Sequence, residues 1–291
     1  MCTLVTATHS PQMPYAINHS RRELDPNNSI YSILLNTFGS PGAHFPPLQG
    51  RTFKGIYSTM PSKNIIKEYV AGGIYHIYNR GVEKRDIFLD DQDYHVFLKY
   101  LKDGLSIPPD RNSLLKAVSF KGPTFKGIPR QPKNFNGRIE LLAFTLMPNH
   151  FHLLIRQKDE HGINEFVQSL NTRYVVYFNT RHRRVGTLFQ GKYKAILVME
   201  EPYLLHLTRY MHINPKDFIK DLTKAYTSYP YYLGLQHADW IKPELILSYF
   251  SEATKTLPFL KKTNSYRSFV EHEEVDSDAF LGKLTLDAPT L

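Results

Sequence analysis

Leu146-Met147-Pro148-Asn149-His150-Phe151-His152-Leu153-Leu154 consists of two apolar runs broken by a Pro-Asn pair. Proline presets φ and asparagine tolerates the left-handed region, so Met147-Pro148-Asn149 reads as a tight turn. It joins two strands, Arg138 to Leu146 and His150 to Arg156, into a β-hairpin. Side chains alternate along a strand, so His150 and His152 leave one face while Phe151 enters the opposite packing layer. The two imidazoles can therefore share one metal ion, although two histidines near a strand start also suit a surface or hydrogen-bonded role.

Upstream of the hairpin, Ile74-Tyr75-His76-Ile77-Tyr78 alternates as a strand that ends in Asn79-Arg80-Gly81. Asp90 to Leu105 follows as a helix with Tyr94, Phe97, Leu98 and Leu101 on one stripe. Downstream, Ile163, Phe166, Val167, Leu170, Tyr174, Tyr177 and Phe178 recur at helical spacing over 162–180. Lys192 to Val198 is a further strand. A last helix starts near Glu200-Glu201-Pro202, where acids suit the helix dipole and proline suits the first turn, and stops near Asn214 because Pro215 follows. Another helix is expected over 243–252, after a turn-rich stretch holding Tyr226, Tyr229, Tyr231 and Tyr232. The order strand, helix, hairpin, helix, strand, helix implies an α+β fold of the ferredoxin-like, split βαβ kind, a mainly antiparallel sheet with helices packed on it.

The rest of the chain divides by composition. Residues 1–60 are proline-rich and unpatterned and read as a poorly ordered leader, with Met60 a candidate start of the functional part. Residues 61–220 form the main domain, interrupted at 105–137 by a proline-rich, basic, loop-like insertion. A helical and turn-rich extension, 221–270, and an acidic tail, 271–291, complete it.

Across 291 residues, 42% hydrophobic and 22% charged side chains describe an ordinary globular chain. The single cysteine, Cys2, excludes an internal disulfide and a zinc site built on several thiolates. No apolar run reaches the ~18 residues of a membrane span, so no membrane partner is expected and the location expected is cytoplasmic, at the nucleoid. Lys and Arg outnumber Asp and Glu by 36 to 27, a net +9, and the segment 61–270 alone carries +12. Such a balance favours polyanionic partners. Between Asn171 and Lys194 the cations Arg173, Arg181, Arg183, Arg184, Lys192 and Lys194 occur without an acid, interleaved with aromatics, a pattern suited to single-stranded nucleic acid. Tyr174, Tyr177 and Phe178 lie on the apolar stripe and are better read as helix core; the Arg-His-Arg-Arg turn at 181–184 is the stronger DNA candidate. Arg80 suits either a phosphate or an internal salt bridge.

Tyr210 and Asn214 stand four residues apart, one helical turn, on one face. Together with Tyr75-His76-Ile77-Tyr78-Asn79-Arg80-Gly81, the hairpin segment 146–154, Gly186-Thr187-Leu188-Phe189-Gln190-Gly191-Lys192-Tyr193 and Arg209-Tyr210-Met211-His212-Ile213-Asn214-Pro215, they make the chain resemble the single-tyrosine HUH transposases over about 61–270. The last motif resembles the REP-associated branch, since transposases that move whole insertion sequences commonly carry Gln where Asn214 stands. The resemblance implies that His150, His152 and Asn214 hold Mg²⁺ or Mn²⁺ and that Tyr210 is the nucleophile. Single-stranded DNA, at hairpin-forming repeats, would be cleaved and transferred through a 5′-phosphotyrosine. The partner implied is single-stranded or hairpin DNA, with monomer and homodimer both open. Two other readings stay open on the residues: a non-catalytic DNA-hairpin or RNA-binding protein derived from such a transposase, and a hydrolytic nuclease using water.

Overall fold

The computed structural model describes residues 69–110, 112–114, 116–119, 124–127, 131–251, 260 and 265–271. The expected leader and the candidate start at Met60 lie outside these residues, as does the acidic tail beyond Glu271.

Four strands form one antiparallel sheet: β1 (Ile74–Arg80), β4 (Ile139–Met147), β5 (His150–Gln157) and β6 (Lys194–Val198), ordered β4-β5-β1-β6. Helix α1 (Asp91–Leu105) connects β1 to β4, and α2 (Gly162–Arg181) connects β5 to β6. Taken in chain order, the sheet places its strands second, third, first, fourth, which is the split βαβ arrangement expected from the element order. A break of register between Leu141 and Ala143 bends β4.

One face of the sheet is the main core. Tyr75, Ile77, Phe144, Phe151, Leu153 and Ile155 pack there against Phe97 and Leu101 of α1 and against Phe166, Leu170, Tyr174 and Phe178 of α2. Both helices were legible because their apolar residues fall at helical spacing. The Asp90 carboxylate accepts from the backbone N–H groups of Gln92 and Asp93, which is why α1 begins where it does.

The other face is covered by α3 (Glu201–Ile213), with Pro202 in its first turn. Thr145 of β4 donates its hydroxyl proton to the Met211 carbonyl of α3. Two short helices, α4 (Tyr229–Tyr232) and α5 (Glu244–Leu247), and a final helix, α6 (Tyr266–Glu271), follow. The helix expected over 243–252 is shorter than that: α5 gives way to a single 3-10 turn at Ser248–Phe250.

The insertion 105–137 is not wholly loop. Strands β2 (Lys116–Ser119) and β3 (Thr124–Gly127) pair antiparallel as a separate two-stranded sheet. Each has four residues, too few for alternation to stand out between prolines.

Candidate active site

The site is built on the sheet face under α3. Across the ladders, Tyr78 pairs with both His152 and Lys194, Thr145 pairs with His152, and Arg80 pairs with His150. Residues directly opposite in a sheet share a face, so Thr145, His152, Tyr78 and Lys194 form a row, with His150 and Arg80 in the next row. Phe151 points the other way, fully buried in the core, as the alternation predicted.

The tight turn is real, since Pro148-Asn149 alone separates β4 from β5. Asn149 does not use the left-handed region; the described non-glycine residues with positive φ are Glu83, Lys84 and Arg183. Instead Asn149 serves through its side chain, whose Oδ1 lies 2.6 Å from His150 Nδ1 while its Nδ2 donates to the Lys84 carbonyl at 3.3 Å. Its own carbonyl accepts the Gly81 N–H at 2.8 Å. Gly81 has to be glycine, because a Cβ there would fall 2.1 Å from the Arg85 carbonyl oxygen.

His150 and His152 meet edge to face with ring centroids 5.0 Å apart. The His152 side is closed by Tyr210, whose ring stands edge-on at 5.7 Å between centroids. Tyr210 is half-buried. The Asn214 N–H bonds the Tyr210 carbonyl, continuing the helical ladder by one turn, so the two side chains share a face as their spacing predicted. The structure thus brings His152 of the strand and Tyr210 of the helix into ring contact, with Asn214 one turn along.

Burial of His152 and its neighbours His150 and His76 push its proton affinity well below the ordinary imidazole range, so it stands neutral with a lone pair to give. Its Nε2 is buried and has no hydrogen-bond partner, and the same holds for Asn214 Nδ2. A half-turn of the amide presents Oδ1 in that place. Among the described residues no group of three or more His, Cys, Asp or Glu side chains could hold a metal. Two imidazoles and an amide oxygen could hold a divalent ion and leave room for phosphate oxygens, the amide and phosphate oxygens being the donors that suit Mg²⁺ or Mn²⁺.

His76 carries no local sequence signal that marks it out. It is buried, and its Nε2 lies 2.8 Å from His152 Nδ1. Alternation placed it on the same strand face as Tyr78, but its meeting with His152 depends on a pairing of β1 with β5 that no local pattern encodes.

The predicted DNA cations separate into two groups. Arg173 pairs with Asp103 at 3.0 Å and lies over the Tyr100 ring at 4.0 Å. Arg181 pairs with Asp90 at 2.7 Å and with buried Asp93 at 2.6 Å. Arg80, Arg183, Arg184, Lys192 and Lys194 form the second group. Arg80 Nη2 reaches Gln190 Oε1 at 3.4 Å, Lys194 sits over the Tyr78 ring at 5.6 Å, and Arg184 Nη1 donates to Asn179 Oδ1 at 3.1 Å. Lys192 and Arg183 are exposed.

Residues 128–214 match the family described as Transposase IS200 like. Two solved structures are similar over much of their length. The REP-associated tyrosine transposase bound to a REP hairpin has 14% identity, a TM-score of 0.40 and coverage of 60% of this chain and 88% of its own. A Deinococcus radiodurans R1 protein described as a transposase has 18% identity, a TM-score of 0.29 and coverage of 50% and 92%. No curated protein matches the chain. The matched segment holds His150, His152, Tyr210 and Asn214, and over it the chain carries the pattern of the IS200-like transposases, the group that its motifs resemble.

Proposed function

We propose that the chain is a transposase that cleaves and rejoins single-stranded DNA, at hairpin-forming repeats, with Tyr210 as nucleophile. The observation that carries this reading is the contact of the Tyr210 ring with His152, with Asn214 one turn further along the same helix. His150, His152 and Asn214 would hold Mg²⁺ or Mn²⁺, which when bound neutralises charge on the scissile phosphate. Tyr210 Oη attacks phosphorus, the P–O3′ bond breaks, and the phenolic proton is released as the leaving 3′ oxygen gains one. The product is a 5′-phosphotyrosine and a free 3′-OH. A phosphodiester has replaced a phosphodiester, so another 3′-OH can attack the adduct and reseal DNA without a nucleotide cofactor. Arg80, next to His150 across the ladder, would receive a phosphate. The half-buried Arg184 and the exposed cations Lys192, Lys194 and Arg183 extend the track along the backbone of the strand. Arg173 and Arg181, held by carboxylates, act on the fold.

The test is a hairpin oligonucleotide with single-stranded flanks, labelled on its 3′ side and incubated with Mn²⁺. The wild-type protein band should carry the label on a denaturing gel. Tyr210→Phe should give neither adduct nor cleavage while folding and binding DNA normally. An adduct in that variant would move the nucleophile to another tyrosine, Tyr203 first, two turns earlier on the helix. Cleavage without any adduct would make water the nucleophile, and binding without cleavage would leave a hairpin-binding protein.

A further inference from the structure

His152 and His76 are joined ring to ring inside the sheet, with Nε2 of His76 2.8 Å from Nδ1 of His152 and the ring planes within 20° of each other. One proton lies in that bond, and its position decides which nitrogen of His152 can bind a metal. If His76 Nε2 is the donor, a neutral His152 carries its own proton on Nε2, the atom facing away from His76, and that atom cannot ligate. If His152 Nδ1 is the donor, Nε2 keeps its lone pair. His150 is held in the equivalent way: Asn149 Oδ1 can only accept, so His150 Nδ1 carries the proton and Nε2 the lone pair.

We infer that His76 is a positioning residue that accepts the Nδ1 proton of His152 and so holds its Nε2 as a metal ligand, as Asn149 does for His150. The inference rests on the metal reading proposed above and names the residue that orients its second histidine. Two observations support it. His76 is buried in the middle of β1, so its ring has no solvent to turn toward. His152 Nε2 is buried without a hydrogen-bond partner, the condition of an atom kept for a ligand. Groups that hydrogen-bond the far nitrogen of a ligating histidine fix its tautomer and its direction, and removing one lowers metal affinity about 10–100-fold.

The experiment is a Mn²⁺ titration of the chelator-stripped full chain without DNA, followed by the EPR signal of free Mn²⁺. Wild type should bind, His152→Ala should lose binding, and His76→Leu should bind about 10–100-fold more weakly. His76→Gln, whose Oε1 can accept the same proton, should restore affinity to within a few-fold of wild type. If His76→Leu matches wild type while His152→Ala fails, the assignment of His76 is wrong and the metal site stands. If His152→Ala binds like wild type, the metal reading falls and takes the His76 assignment with it. A second readout needs no variant. In the ¹⁵N spectrum of the wild-type chain loaded with diamagnetic Zn²⁺, His152 should show a protonated Nδ1 coupled to a ligated Nε2; protonation at Nε2 would overturn the inference.

Discussion

Arg181 lies in a run of cations, yet its guanidinium spans two carboxylates. Asp93 is fully buried and also receives the Leu89 N–H, the Tyr177 hydroxyl and His182. Burial alone would raise the Asp93 carboxyl, but these four donors outweigh it and hold it below its ordinary range. Asp90 is held at about 2, chiefly by its hydrogen bond to Arg181. A carboxylate whose folded pKa is depressed stabilises the fold above its unfolded value and loses that contribution as pH falls. Arg181→Ala should therefore destabilise the fold at pH 7, chiefly by taking a charge-assisted bond from the buried Asp93 carboxylate. In urea melts the gap from wild type should narrow as pH drops from about 4 toward about 2. A gap that does not change over that range would place the cost elsewhere than in the two aspartates. Composition showed the cation and not its fate, because Asp90 and Asp93 come some ninety residues earlier and meet it only when α1 packs on α2.

At the scale of elements, α3 was legible from its stripe of Leu204, Leu207 and Met211, its acidic start and the proline after Asn214. What fixes it over the histidine face was not. Thr145 bonds the Met211 carbonyl, His212 sits between the Ser228 hydroxyl at 2.7 Å and the Tyr266 hydroxyl at 2.6 Å, and Arg209 Nε donates to the Phe269 carbonyl at 2.9 Å. These clamps flank Tyr210 on its own helix, and their partners come from β4, from the turn before α4 and from α6. Side-chain chemistry supplies the donors and acceptors, while the pairing is set by the tertiary fold. The hairpin is the opposite case, since its strands, turn and two histidines lie within one short segment and could be read together. Thr145→Val keeps the branched shape and removes the donor to Met211. It should cost about 1 kcal/mol in thermal or urea unfolding. Because the lost bond lies one residue from Tyr210, the rate of adduct formation should fall by more than the affinity for DNA. Equal losses in rate and affinity would mean that the bond supports the fold and not the placement of Tyr210.

For the whole molecule, the excess of Lys and Arg is a weak guide until internal ion pairs are removed from it. With Arg173 and Arg181 bound to carboxylates, the exposed turn after α2 carries the cation best placed for an outside partner. Arg183 is exposed there with φ of 50°, a backbone region that costs a non-glycine residue roughly 1 kcal/mol. Strain of this kind persists where something other than stability maintains it, and here the displayed guanidinium is the candidate. Arg183→Gly removes strain and cation together, so stability and binding should move in opposite directions. Unfolding free energy should rise by about 1 kcal/mol or somewhat less, since glycine also gains freedom in the unfolded chain. The plot of log affinity for single-stranded DNA against log salt should flatten by roughly 0.7, one phosphate contact. Arg173→Gln is the control: its guanidinium is held by Asp103, which Lys99 shares, and lies over the Tyr100 ring, so the slope should stay as in wild type while stability declines. A wild-type slope in Arg183→Gly would remove the turn from the DNA path and leave Arg80, Lys192 and Lys194 as its cations.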